Sequence, residues 1–212
     1  MACAICSTRR PRRFCPGVGG DICTICCGTE REVTVSCPLD CEYLQDARKH
    51  DRPVAIEPEQ VANRDIRLTE GFLEDHLGLV AFMGQTLAKA ALETRDTVDF
   101  DLREALEALI RTYRALENGI LYESVPNNPL AARVFHRVQD AVTEFRRSEP
   151  HTLGMARTRD ADVLRSLVFL QRVELDRNNG RRRGRAFVDA MREFCVELPG
   201  LSDRSGSPLI LP

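Results

Sequence analysis

Eight of the nine cysteines in this 212-residue chain fall between Cys3 and Cys41, in the order Cys3-x2-Cys6, Cys15, Cys23-x2-Cys26-Cys27, Cys37-x3-Cys41. A segment of about forty residues cannot bury enough apolar surface to fold unaided and needs cross-links, a metal or a partner. The apolar residues between these cysteines are few: Ile5, Phe14, Val18, Ile22, Ile25, Val33, Val35 and Leu39. Sulfur must supply the missing stabilisation, as disulfides or as metal thiolates. Disulfides belong to oxidising compartments. Met1-Ala2-Cys3 opens the cluster with no basic and apolar leader before it, so the expected setting is a reducing cytoplasm and the expected chemistry is metal binding.

The spacing points the same way. Two residues between cysteines let both sulfurs of a tight turn reach one tetrahedral ion at about 2.3 Å. Gly28 follows Cys26 at the place where a knuckle calls for positive φ. Pro38 suits the first turn of a helix running to Arg48, which would put Cys41 where the helix dipole favours a thiolate. Glu30 to Ser36 alternates and is rich in β-branched residues, which predicts a short strand. Eight thiolates make two four-coordinate zinc sites. The expected partition is interleaved, with Cys3, Cys6, Cys23 and Cys26 on one ion and Cys15, Cys27, Cys37 and Cys41 on the other. Exchange of Cys26 with Cys27, or His50 in place of one cysteine, is an open alternative. An iron–sulfur cluster takes the same four-cysteine set and is the minority alternative to zinc.

Paired cysteines followed by a Cys-x3-Cys and a trailing histidine make residues 1–50 similar to binuclear cross-brace zinc fingers of the HIT and MYND type. The chain departs from them in the wide Cys15-to-Cys23 interval, the Cys26-Cys27 doublet and the lack of a closing His-x3-Cys pair. The resemblance implies a style of fold and contacts with other proteins. It does not extend to the remainder of the chain.

From Asp51 to Asn63 the sequence reads as a linker, with Pro53 and Pro58 as helix breakers. Residues 64–199 then carry five helical patterns, each with apolar residues at three- and four-residue steps. They start behind Thr69, near Asp99 or Asp101, behind Asn128 with Pro129 at the first helical position, behind Asp160, and after Arg185. Residues 149–159 read as a loop, and the fourth helix, apolar on more than one side, as the most buried. Residues 200–212 read as a flexible tail. The fold class is therefore mainly α: a cysteine-rich binuclear zinc module over residues 1–50, then a bundle of about five helices. No apolar run is long enough to span a membrane.

Hydrophobic residues make up 43% and charged residues 29%, as in ordinary globular proteins. The formal net charge of −2 grows more negative when eight thiolates hold two Zn²⁺, and Trp is absent. Both features weaken a nucleic-acid reading. Two arginine clusters remain to be placed. Arg9, Arg10, Arg12 and Arg13 either neutralise anionic thiolate sites or face a partner. Arg181, Arg182, Arg183 and Arg185 either attract an external anion at a helix start or sit in a solvated loop balanced by Glu104, Glu107 or Glu117. His76 and His136 lack the glutamate three residues earlier that bundle metal sites use. Cys195 has no partner cysteine nearby and reads as a small buried residue. No catalytic constellation is present. The expected function is a non-enzymatic, zinc-stabilised interaction module with a protein partner. A nucleic-acid-binding regulator and a metal- or redox-dependent enzyme are the alternatives.

Overall fold

The computed structural model describes residues 2–51, 61–153 and 158–197, without the side chains of 150–153 and 194–197. The expected linker falls largely outside these residues, as do the tail from 200 onward and the side chains of His151 and Cys195. The described chain is mainly helical. A two-stranded antiparallel sheet, β1 (Arg13–Cys15) and β2 (Gly20–Ile22), leads into α1 (Thr24–Thr29) and α2 (Glu42–Arg48). The body comprises α3 (Glu70–Glu93), α4 (Asp99–Glu117), α5 (Pro129–Leu153), α6 (Asp160–Arg177) and α7 (Ala186–Glu197).

Helix starts follow local capping chemistry. The Thr69 hydroxyl accepts the Phe72 N–H at 3.1 Å, and the Asn128 side-chain oxygen accepts that of Leu130 at 3.0 Å. Val98 and Arg159 precede α4 and α6, and their amides are held by Asp101 and Asp162 three residues on, at 2.8 and 3.0 Å. The cap of α6 is thus Arg159, not Asp160. Helix α5 continues through Pro150 into the expected loop. An interior proline removes one N–H and strains the preceding turn, but here Glu149 fastens the returning chain by accepting Thr158 N–H and Oγ1.

Leu102, Leu106 and Leu109 of α4, Val134, Phe135 and Val138 of α5 and Leu167 of α6 are all buried in one core with Met83 and Leu87 of α3 and Phe187 of α7. Helix α6 packs on α3, α4 and α7 and is buried around most of its girth, as its sequence predicted. One further member of this core comes from outside the bundle. Leu39, between Cys37 and Cys41, belongs to it.

Candidate metal centre

The segment around the cysteines folds on local hydrogen bonds and on sulfur. The sheet pairs Arg13 with Ile22 and Cys15 with Gly20, and the strands are joined by a turn in which Gly19 takes φ of +70°. The Arg12 amide continues the ladder to Ile22 O at 2.9 Å, and the Ala4 amide bonds Asp21 O at 2.9 Å. The N-terminal turn that carries Cys3 and Cys6 is thereby laid against β2. Around Ile22, the buried residues of this segment are Cys3, Cys23 and Cys26, with Ile5, Cys6, Cys15 and Cys27 packed about them. Thiols take the place that leucines occupy in the bundle.

The ligand atoms of Cys3, Cys6, Cys23 and Cys26 all lie within 4.8 Å of one another. A tetrahedron with zinc–sulfur bonds of about 2.3 Å separates its sulfurs by about 3.8 Å, so a small inward movement completes the shell. Among the described residues no other group of His, Cys, Asp or Glu side chains is drawn together this closely. The described cysteines are all free thiols. Backbone amides already point at the sulfurs: Cys23 N–H at Cys3 Sγ, 3.2 Å, and Cys26 N–H at Cys23 Sγ, 3.4 Å. The Thr8 hydroxyl and the amides of Thr8 and Arg9 hold the Cys6 thiol down to about 5, and the Cys6 amide lowers Cys3. Burial pushes Cys26 up to about 12. A cation therefore finds a thiolate ready at Cys6 and must displace a proton at Cys26.

Two expectations about the knuckles need correction. Gly28 does not turn the chain with positive φ, because Cys23 instead caps α1 and the backbone passes into a helix. The predicted strand from Glu30 to Ser36 is a tight turn with one isolated bridge, Arg31 to Val35, and the amides of Val33, Thr34 and Val35 all converge on Glu30 O. That convergence competes directly with a strand ladder. Helix placement for Cys26 and Cys27 turns neighbouring side chains about 100° apart, which sends them to different sites.

Cys27 joins Cys15, Cys37 and Cys41 on the wall of one small cavity, with Arg13, Arg31 and Tyr43. Cys26 of the first set also borders this cavity, and the other four cysteines do not converge as the first set does. Arg13 Nη1 and Arg31 Nη2 donate to Cys27 Sγ at 3.8 and 3.9 Å, and Arg13 also stacks 3.9 Å over the Tyr43 ring. Burial raises the Cys37 thiol, to which Cys15 and Cys41 also contribute repulsion. Cys41 occupies the N-cap of α2, whose helix begins at Glu42 and not at Pro38. Its side chain makes no capping hydrogen bond, leaving the sulfur to the cavity. Gly17 lets the Cys15 turn approach the backbone just before Cys37, since a methyl there would lie 2.6 Å from Ser36 O. His50 is exposed beyond α2.

The arginines divide. The Cys23 and Cys6 sulfurs raise Arg9, which marks it as a neighbour of the first set, while Arg13 serves the second. Arg10 and Arg12 are exposed. In the distant loop, Arg181 Nη1 donates to Arg31 O at 3.0 Å and Arg183 Nη1 to Ser36 Oγ at 2.5 Å. The Arg185 amide donates to the Glu32 carboxylate at 3.1 Å, and Arg182 is exposed. This loop holds a carboxylate of its own chain, in place of Glu104, Glu107 or Glu117. Glu32 was not legible as a functional residue. Its signal would have been an acidic side chain in a short cysteine-bounded turn. His76 is a satisfied histidine, stacked on Phe72 and 3.0 Å from Phe72 O.

Comparison with protein-family models, with curated proteins and with solved structures finds no match to this chain. The HIT and MYND likeness of residues 1–50 therefore rests on the cysteine pattern. What the structure itself establishes is a four-cysteine cluster able to hold a metal ion, attached to a helical body. No described helix is long and apolar enough to cross a membrane.

Proposed function

We propose that the chain is a non-enzymatic, intracellular protein whose N-terminal segment holds two structural Zn²⁺ ions and presents, with the helical body, a surface for a protein partner. The observation that carries this reading is the convergence of Cys3, Cys6, Cys23 and Cys26 within 4.8 Å. Four thiolates close a tetrahedral shell and leave no position for substrate or water. The second ion would be held by Cys15, Cys27, Cys37 and Cys41, drawn inward across their shared cavity. Arginines beside each set supply the positive charge that anionic tetrathiolates need.

A protein partner is favoured over nucleic acid by how the arginines are used. Arg13, Arg181 and Arg183 are committed within the chain. Apolar side chains stand exposed instead: Phe14 and Ile25 on the cysteine-rich segment, and the consecutive Ile120, Leu121 and Tyr122 after α4. Elemental analysis of protein purified without added metal tests the reading. About two zinc per chain and no absorbance near 400 nm are expected; one zinc, bound iron or a visible chromophore overturns the two-zinc assignment. Binding to an oligonucleotide that weakens steeply between 50 and 300 mM salt would favour the nucleic-acid reading.

A further inference from the structure

The turn between Cys27 and Cys37 and the helix that follows Cys41 are the two parts of the N-terminal segment that grip the bundle. At the tip of that turn Glu32 is 1% exposed and holds φ of +55°, a left-handed conformation that costs a non-glycine residue energy. Its Oε1 accepts Arg48 Nη2 at 2.8 Å and the Arg185 amide at 3.1 Å, and its Oε2 accepts Asn179 Nδ2 at 2.8 Å. Its carbonyl takes the Arg183 amide at 2.7 Å. From α2, Arg48 reaches onward to pair with Asp189 of α7, and Gln45 donates to the same carboxylate at 3.1 Å. Gly184 keeps the receiving loop tight, since a Cβ there would meet Asn179 Oδ1 at 2.4 Å. Leu39, from the same stretch, is the plug in the bundle core.

Every one of these grips hangs on a peptide segment that begins or ends at Cys27, Cys37 or Cys41. Of the first set, Cys3, Cys6 and Cys23 lie before α1, and Cys26 lies within it. Cys27 and Cys37 bracket the turn that carries Glu32, and Cys37 and Cys41 bracket Leu39, so an ion held by these thiolates would fix both ends of each docked stretch.

Resting on the two-zinc reading, we propose that the Cys15, Cys27, Cys37 and Cys41 site is a zinc-responsive latch. Zinc there fixes the turn and α2 so that Glu32, Leu39 and Arg48 dock on the bundle, and loss of that zinc alone releases them. Because linkage between two equilibria is reciprocal, weakening the docked contacts also weakens zinc at this site and leaves the first site unchanged.

The test uses the full chain loaded with zinc. The amides of Arg183 and Arg185 donate to Glu32, so their hydrogen exchange reports docking. A Cys3→Ser/Cys6→Ser variant, keeping the second zinc, should keep both amides protected. A Cys15→Ser/Cys37→Ser variant, keeping the first, should lose protection at both by at least ~10-fold while core amides of α4 and α6 stay protected. Asp189→Asn lies far from every ligand in sequence. It should raise by ~10-fold the ease with which a chromophoric chelator removes one zinc equivalent, with the other unchanged. Asn179→Ala provides a second route if Asp189→Asn perturbs α7. Two bound zinc ions with Arg183 and Arg185 protected in both cysteine variants, or equal weakening of both equivalents, overturns the latch alone. A stoichiometry of one zinc, unaffected by Cys15→Ser/Cys37→Ser, overturns the two-zinc reading together with the latch.

Discussion

Single residues in this protein carry charge states set by very local donors. Cys6 and Cys26 sit in one cluster, yet hydrogen-bond donors hold the first down to about 5 and burial pushes the second up to about 12. In metal-free, reduced protein at pH 6.5, iodoacetamide should therefore label Cys6 first and Cys26 last among the four, as read by mass spectrometry. Equal labelling would contradict the hydrogen-bonding assigned to Thr8. Asp99 is a second case. Burial, with Glu174 and Glu32 nearby, raises its carboxyl to about 7 against the opposing pull of the Phe187 and Val188 amides. The folded form then keeps its proton where the unfolded form has lost it. The cost is absent below the ordinary carboxyl value, grows as pH rises through the interval up to about 7, and is fully present above it. Denaturation midpoints of the zinc-loaded protein should fall between pH 5.5 and about 7 and level off above it, and Asp99→Asn should flatten that slope; an unchanged slope would place the titration elsewhere.

At the scale of elements, capping decides where helices begin. Asn128 performs two tasks, accepting the Leu130 amide and donating to Asp101 Oδ1 of α4 at 2.6 Å. Asn128→Ala should cost about 1–2 kcal/mol in chemical denaturation, more than Thr69→Ala, whose oxygen only caps α3. These starts were readable because capping is local: Thr69 and Asn128 precede their helices by one residue. The end of α5 was not, since the proline rule marks Pro150 as a breaker while the tertiary hold on Glu149 lets the helix run past it. The strand expected from Glu30 to Ser36 failed for a similar reason. The buried residues there, Glu32 and Val35, are three apart, and Val33 is exposed, which is the spacing of a turn and not of a pleated ladder.

The whole molecule is joined where the sequence shows no sign of a joint. Leu39 contributes to the bundle core and the Glu32–Arg48–Asp189 contacts lie beside it. Removing zinc with a strong chelator should leave most far-UV helical signal intact, because α3 to α7 have their own buried core. The thermal midpoint of that remainder should nevertheless fall by about 3–12 °C. Exposing one leucine forfeits about 1.5–3 kcal/mol, and a chain of this size loses about 2–4 °C per kcal/mol. A bundle that melts at the same temperature with and without zinc would show that the two parts do not support each other.

Composition and spacing alone determined that sulfur, not an oily interior, must shape the first forty residues, and that helices with apolar stripes make up the rest. Both follow from short-range chemistry: turn-sized cysteine intervals and the helical period. The partition that groups Cys3, Cys6, Cys23 and Cys26 was also legible, since two knuckles of equal spacing suit one tetrahedral ion. Only the tertiary structure decided that the 181–185 loop receives Glu32 from the opposite end of the chain, across about 150 residues. No local pattern encodes that pairing, because a buried charge is satisfied by whichever partner the completed fold brings within hydrogen-bond reach.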